Sequence, residues 1–169
     1  MSGFGLAGGG SAAFGGQASA AATVEIDNST PWMAASDGNL SLLQTSLTQL
    51  ALSPNAADEN GYTLLHAAAS YGQMQVLQWL LSQPNMNINA VDNEGDSALH
   101  YASNEQAATV LIAAGINRHV QNQQGKTALA SKQEELQEML EDEDFEEDED
   151  STNLRGLVAY LSRLEENPQ

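Results

Sequence analysis

In the middle of the chain, apolar residues recur among polar ones with the spacing of an α-helix. Between residues 74 and 81 the apolar positions define one face: Val76, Leu77, Leu80 and Leu81. A few residues earlier, Leu65, Ala68 and Ala69 share one face of a shorter segment. Because alanine side chains are small, helices that meet on such a face can approach closely. The pattern predicts a pair of short amphipathic helices.

The same pattern returns along the chain. Segment 58–68, DENGYTLLHAA, matches segment 92–102, DNEGDSALHYA, at an offset of 34 residues. Another copy begins at residue 122 with NQQGKTAL, and a degraded copy, TPWMAASDG, occupies 30–38. In the two best copies an Asp-x-x-Gly turn precedes Thr63 or Ser97, either of which can cap a helix. We therefore expect finger-like turns at 58–61, 92–95 and 122–125, with helices between them.

A period near 33 residues with a T-P-L-H-x-A core is typical of ankyrin repeats, and the chain resembles that family over about 110 residues. The resemblance implies an all-α solenoid of about four repeats, at about 28–57, 58–91, 92–121 and 122–140. One repeat cannot bury its apolar face alone, so the repeats should fold as one array.

Two of these repeats depart from the pattern. Gly61 to Gly95 spans 34 residues, whereas Gly95 to Gly125 spans only 30. We expect the shortening to fall after Asn104, as a tightened connection between the two helices of repeat three. Repeat four is also short, and its second helix is predicted at 133–140.

Three segments lie outside the repeats. Residues 1–27 are rich in Gly, Ala and Ser, which predicts a disordered tail. Residues 141–152 are mostly acidic, and their mutual repulsion predicts an extended, mobile linker. Residues 153–166 predict an amphipathic helix with an apolar stripe formed by Leu154, Leu157, Val158, Leu161 and Leu164. This stripe either folds back to cap the short last repeat, as we expect, or docks a partner.

Charge narrows the range of partners. The chain carries 23 acidic against 5 basic residues, a net charge of -18. Such a chain repels nucleic acid and anionic membranes, which are bound through Lys and Arg, and attracts basic protein surfaces. The sequence contains no cysteine and no apolar stretch that approaches the ~20 residues of a membrane span. Its start has no signal-peptide pattern, and Ser2 stands where N-myristoylation requires a glycine. We expect a soluble monomer in the cytoplasm, the nucleus or both.

No group of residues predicts catalysis, a cofactor or a metal site. His66 and His100 are separated by the repeat offset of 34 residues, whereas a catalytic histidine would have no reason to recur with the repeat. The family resemblance implies that they tie neighbouring turns together by hydrogen bonds. The acidic run lacks the glycine of a calcium-binding loop, and phosphate-binding and zinc-protease motifs are absent. We therefore expect a non-catalytic protein.

Ankyrin proteins usually bind their partners with the finger tips and the exposed side of the first helices. Carried over by position, the resemblance implies these tip residues: Glu59, Asn60, Tyr62, Asn93, Glu94, Asp96, Gln123, Gln124 and Lys126. The corresponding helix positions are Ser36, Asp37, Ser70, Tyr71, Ser103 and Asn104. The two tyrosines are of interest because aromatic residues are enriched at binding hot spots. Trp32 and Trp79 stand instead at core positions.

The expected function is therefore protein binding, as an adaptor or escort for a basic client of the ribosomal-protein or histone class. In layout the chain is similar to small fungal ankyrin proteins with acidic C-terminal segments, of which one type escorts a ribosomal protein. The alternative is a regulatory or scaffolding subunit that binds an enzyme or complex through its ankyrin face. In that case the acidic run is only a solubilising spacer. Salt should weaken the first kind of binding steeply and the second kind little.

Overall fold

A computed structural model of the protein describes residues 25–142 and 145–166. The described residues form eight α-helices and no strands, which confirms the predicted all-helical array. The helices are α1 (Thr30–Ser36), α2 (Leu40–Gln49), α3 (Leu64–Ser70), α4 (Met74–Leu81), α5 (Ala98–Tyr101), α6 (Glu105–Ala113), α7 (Ala128–Glu141) and α8 (Glu149–Glu166). Apart from its last three residues, the predicted disordered tail lies outside the described residues.

The helices pack in two rows. Each odd-numbered helix pairs with the even-numbered helix that follows it, and α1, α3, α5 and α7 pack side by side as a first-helix row. Helices α4, α6 and α8 continue a second-helix row behind it. The chain is therefore a stack of four helix pairs, in which each pair contacts mainly its neighbours.

Local sequence chemistry builds the turns between the pairs. Asp58 accepts hydrogen bonds at Oδ1 from the backbone N–H groups of Asn60 (2.8 Å) and Tyr62 (2.9 Å). Gly61 has φ of +75°, and a Cβ added there would lie 3.0 Å from the Cα of Asp92 in the next finger. A glycine is therefore required both by the turn conformation and by the close approach of the fingers.

The core lies between the two rows, and the residues predicted for it are buried. Leu65, Ala68, Ala69, Val76, Leu77 and Leu80 all belong to one apolar cluster. Leu81, Trp32 and Trp79 are half-buried and pack against its edge. Trp32 also donates its indole N–H to the carbonyl of Tyr62 at 2.9 Å, so it joins the first two repeats by a directional contact.

Repeat three differs from the prediction in where it is shortened. Helix α5 ends after four residues at Tyr101, whereas α3 has seven. The connection that follows keeps three residues, 102–104, the same number as 71–73 in repeat two. Asn104 is extended because its side chain caps α6 by accepting the N–H of Ala107 at 2.8 Å. The missing residues therefore come mainly from the first helix, and the expected tightened connection after Asn104 is wrong.

Repeat four contains one continuous helix, α7, where two short helices were predicted. Residues 131–140 contain no Gly, Pro, Asn or Asp, so nothing in this stretch ends the helix that Thr127 caps. The predicted second helix at 133–140 is therefore the continuation of the first. The place of the second helix is taken by α8, which packs against both α6 and α7.

The C-terminal helix begins at Glu149, four residues before the predicted start at 153. Asp148 accepts the N–H of Ser151 at 2.8 Å, and the Ser151 hydroxyl accepts the N–H of Asp148 at 3.0 Å. The hydrogen bond from the Ser151 backbone N–H holds the pKa of the Asp148 carboxyl below its usual range. Leu154, Leu157 and Leu161 are buried. Of the two alternatives for the apolar stripe, the structure therefore confirms that it folds back onto the last repeat.

The acidic segment is shorter and more closely held than predicted. Its first residue belongs to α7 and its last four belong to α8, so the predicted linker at 141–152 is helical at both ends. In the described part of the loop, Glu147 pairs with Arg155 at 2.7 Å. The same guanidinium lies 5.9 Å from the ring centre of Phe145. Residues 143 and 144 of the predicted linker lie outside the described residues.

Candidate functional site

Hydrogen bonds join the three finger tips into one continuous edge. The backbone N–H of Asn93 donates to the carbonyl of Asn60, and that of Gln123 donates to the carbonyl of Glu94, both at 2.8 Å. The Asn93 side-chain amide also donates to the carbonyl of Glu59 at 3.1 Å. The tip residues predicted separately in three repeats therefore lie along one edge of the molecule, in a fixed register.

Six of the nine predicted tip residues are exposed, although the side-chain amides of Asn93 and Gln123 also donate to carbonyls of the preceding finger. The exposed ones are Glu59, Asn60, Asn93, Glu94, Gln123 and Gln124. Asp96 is half-buried and accepts a hydrogen bond from the side-chain amide of Asn122 at 2.9 Å. Lys126 forms an ion pair with Glu134 of α7. The exposed group is thus the part of the edge that offers side chains directly to a partner.

Four of the six positions predicted on the first helices lie at the ends of α1 and α3, whereas Ser103 and Asn104 lie in the connection after α5 and not on that helix. Tyr71 is 64% exposed, and Asp37 is also exposed. Ser36, Ser70 and Ser103 are half-buried, and Asn104 uses its side chain to cap α6. Tyr71 is therefore the largest side chain that this set offers to a partner.

The two recurring histidines have the structural role that the resemblance implies. Nδ1 of His66 accepts the backbone N–H of Thr63 at 3.0 Å, so the neutral ring donates its Nε2–H to the carbonyl of Asp96 at 3.0 Å. His100 repeats this arrangement between the N–H of Ser97 and the carbonyl of Lys126, at 3.2 and 3.1 Å. Burial lowers the pKa of His66, which favours the neutral ring that these bonds need. Each histidine thus ties one finger to the next.

An aromatic cluster behind the fingers was missed by sequence reasoning. The rings of Tyr62 and Tyr101 meet edge to face with centres 5.0 Å apart, and Tyr62 also stacks on His66. The Tyr101 hydroxyl donates to Oδ2 of Asp92 at 2.7 Å, and burial raises the pKa of Tyr101. The available signal was an aromatic residue at a position where repeat two has Ala67.

A groove at the C-terminal end of the first-helix row was also missed. It has a volume of about 610 Å³ and lies between the ends of α3 and α5 on one side and α7 with the first turns of α8 on the other. Its lining combines Tyr71 and Tyr101 with Glu135, Met139, Glu149 and Asp150. Sequence reasoning missed this groove because it placed residues 141–152 in a mobile linker.

The charges are distributed unevenly along the chain. Residues 1–117 contain no Lys or Arg, so all five basic residues lie in the last 52 positions. Four of them pair with carboxylates, and Arg118 donates to the carbonyl of Leu164 at 3.1 Å. Among the described residues, none of the ion pairs of Lys and Arg involves a carboxylate of Glu59 or Glu94.

Within 25–142 and 145–166, no group of three His, Cys, Asp or Glu side chains is arranged to hold a metal ion. Among the same residues, no helix has the length and apolar character needed to cross a bilayer.

Comparison with known proteins agrees with this architecture. A family model for ankyrin repeats in three copies matches residues 32–122, which is more than half of the chain. An ankyrin repeat-containing protein of Schizosaccharomyces pombe is 51% identical over 45 residues, which is 25% of this chain and 21% of that protein. The chain thus matches only about a fifth of that relative's length. Ankyrin repeats are protein–protein interaction modules. With finger turns, paired helices and the family match in agreement, the chain belongs to the ankyrin-repeat family.

Proposed function

We propose that this protein is an adaptor or escort that binds a basic partner protein across its finger tips and the adjoining ends of the first helices. The observation that carries the proposal is the charge of that surface. Glu59 and Glu94 project from a hydrogen-bonded edge in a part of the chain that contains no Lys or Arg. Lys126, the one basic residue among the predicted tip positions, is paired with Glu134. A partner rich in Lys and Arg would supply the missing positive charge.

The overall charge balance supports the same kind of partner. With 23 acidic residues against 5 basic ones, most carboxylates have no cation of this chain to pair with. The resulting negative field should steer basic proteins toward the molecule and raise their association rate at low ionic strength. A ribosomal protein or a histone has the required chemistry. The fixed register of the finger tips also lowers the ordering cost of binding.

The experiment that tests this is affinity purification with the full chain at about 0.05 M and about 0.5 M salt, followed by mass spectrometry. We expect the partners retained at low salt to be basic proteins, and most of each to be released at high salt. A partner that is neutral or acidic, or whose binding does not change with salt, would contradict the proposal. That outcome would favour the alternative role as a scaffolding subunit that docks through apolar contacts.

A pair of charge-matched variants shows where the partner binds. Glu59→Gln with Glu94→Gln removes two negative charges from the finger tips, and Glu165→Gln with Glu166→Gln removes two from the far end of α8. All four side chains are exposed, so neither pair should disturb folding. We expect the finger-tip pair to weaken partner binding clearly more than the control pair. Equal losses would show that the partner responds only to total charge.

A further inference from the structure

The groove beside α7 owes its shape to one element that the other repeats lack. Helix α7 has 14 residues, whereas α3 has seven and α5 has four. At 1.5 Å per residue, α7 is therefore about 10 Å longer than α3 and extends past the level at which its neighbours end. Met139, near its C-terminal end, lines the same groove as Tyr71 of repeat two. The extended helix thus forms a side wall for the end of the first-helix row.

The first turns of α8 complete this wall. Glu149, Asp150 and Asn153 line the groove opposite the ends of α3 and α5. The acidic loop returns the chain to this point, where Asp148 and Ser151 fix the start of the helix through reciprocal hydrogen bonds. The carboxylates of the first turn are therefore held on an ordered helix.

The groove carries a surplus of negative charge. Its lining contains the carboxylates of Glu135, Glu149 and Asp150 against one ammonium, that of Lys132. Lys132 is buried and pairs with Glu135 at 2.7 Å. Among the described residues, none of the four ion pairs that Lys and Arg form involves Glu149 or Asp150. Two carboxylates in the groove are thus left for a cation from another molecule.

The groove also offers an aromatic face. Tyr71 is 64% exposed at its rim, and Tyr101 is half-buried in its lining. A planar guanidinium can stack on an aromatic ring while it pairs bidentately with a carboxylate, whereas an ammonium forms only a point contact. The volume of 610 Å³ suits a short stretch of peptide and is too small for a folded domain.

We propose that this groove binds an arginine-bearing segment of the basic partner, with guanidinium groups between Tyr71 and the carboxylates of Glu149 and Asp150. The proposal rests on the proposed function and goes further, because it names the place and the side chain that are recognised. Tyr101 lines both this groove and the cleft beside Asn60 and Glu94 of the finger tips, so the two sites adjoin. The groove then selects arginine, while the fingers respond to positive charge in general.

The test measures binding of a fluorescein-labelled hexa-arginine peptide to the full chain at about 0.1 M salt, where the Debye length is about 10 Å. The groove variant is Glu149→Gln with Asp150→Asn, and the charge-matched control is Glu165→Gln with Glu166→Gln. The two sites are 16 residues apart on α8, a separation of about 24 Å. The aromatic variant is Tyr71→Ala, and its control is Met33→Ala, a residue 60% exposed on α1. Thermal melts establish that each variant is folded.

We expect the groove variant to weaken the peptide's affinity about 10-fold or more, because charge-assisted hydrogen bonds are lost. The control pair should change it less than about twofold, since its charges are screened at that distance. Tyr71→Ala should weaken hexa-arginine binding more than Met33→Ala does, and the parent should bind hexalysine more weakly than hexa-arginine. For the parent, backbone amide shifts on adding hexa-arginine should concentrate at Tyr71, Glu135 and Glu149. This last measurement does not depend on any variant being folded.

Three results would overturn the proposal. Equal weakening by the groove and control pairs, or equal binding of hexalysine and hexa-arginine, would leave only general attraction of positive charge. Amide shifts confined to the finger tips would place the peptide elsewhere. In each of these cases a basic, salt-sensitive partner could still be captured by the chain, so the proposed function would survive. Absence of any salt-sensitive basic partner in the purification would instead contradict the proposed function.

Discussion

The packing of α8 as the second helix of repeat four leads to a specific prediction about Leu157. This side chain is fully buried, at 0% exposure, within the core cluster. Leu157→Ala removes three carbons, which costs about 2.4 kcal/mol of transfer free energy at about 0.8 kcal/mol for each carbon. The cavity left behind adds to this, so the free energy of unfolding should fall by about 2–5 kcal/mol. In a chain of this size the melting temperature should fall by roughly 8–20 °C, at about 4 °C for each kcal/mol.

Two probes separate loss of α8 from unfolding of the whole array. Far-UV circular dichroism follows all the helices, while tryptophan fluorescence follows Trp32 on α1 and Trp79 on α4, both remote in sequence from the substitution. If α8 belongs to the cooperative stack, Leu157→Ala should lower both midpoints together. Leu157→Met, which conserves volume, should cost less than about 1.5 kcal/mol. Ala159→Gln, at an exposed position on the same helix, should change stability by no more than about 0.5 kcal/mol.

An unchanged circular dichroism midpoint for Leu157→Ala would show that α8 does not pack on the array. A fall in the dichroism midpoint with an unchanged tryptophan midpoint would retain the packing but refute the cooperativity. The first result would return α8 to the alternative role of a helix presented to a partner, whereas the second would make it a cap that melts separately from the other repeats.

The structure supports three further predictions. Gly156→Ala should raise the free energy of unfolding by about 0.5–1 kcal/mol, because the residue is inside α8 and a Cβ there has no neighbour within 4 Å; a lower melting temperature would contradict this. Gly125→Ala should lower the free energy of unfolding by about 1–2 kcal/mol, because of its positive φ alone. Gly61→Ala should lower it more, because the added Cβ also meets the next finger, and equal losses in thermal melts would show that this contact is unimportant. The imidazole of His66 should titrate below 6.5 by NMR, since burial lowers its pKa. As the pH falls, the imidazole of His66 is then protonated in the unfolded chain before it is protonated in the folded one. Its contribution to the free energy of unfolding is therefore complete above about pH 6.5 and is lost as the pH falls through the folded pKa. A titration midpoint of 6.5 or higher for the folded protein would contradict this prediction.

The features that could be predicted from the sequence are those set by neighbouring residues. The turn at 58–61 follows from one Asp and one Gly, and the helix start at Thr63 follows from a side chain that accepts the N–H of His66, only three residues away. The roles of His66 and His100 could be inferred because they recur with the repeat. Local hydrogen bonds of this kind depend little on the rest of the fold.

The features that could not be predicted depend on distant segments or on the absence of a signal. No residue in 131–140 ends a helix, but a repeat-by-repeat alignment assumes that a helix must end there. The start of α8 had a usable signal in Asp148 and Ser151, which cap the helix before its first leucine. Sequence reasoning began the helix at the apolar stripe and so missed the acidic first turn. The groove could not be found without both corrections, since α7 and α8 form two of its walls.

The same surplus of acidic residues should act on folding and on binding with opposite dependence on salt. The chain has 23 carboxylates that repel one another, and its described residues form four ion pairs with Lys or Arg that offset part of this repulsion. Added salt should therefore screen the repulsion and raise the melting temperature. Between the chain and a basic partner, salt screens an attraction, so it should weaken the complex. If the partner bound mainly through apolar contacts, added salt would leave unchanged or raise both the melting temperature of the chain and its affinity for the partner. Melting curves and binding curves measured across one salt series therefore test whether the acidic residues contribute to partner binding at a cost in stability. The carboxylates of the fingers and the groove that have no cation beside them lead us to expect that they do.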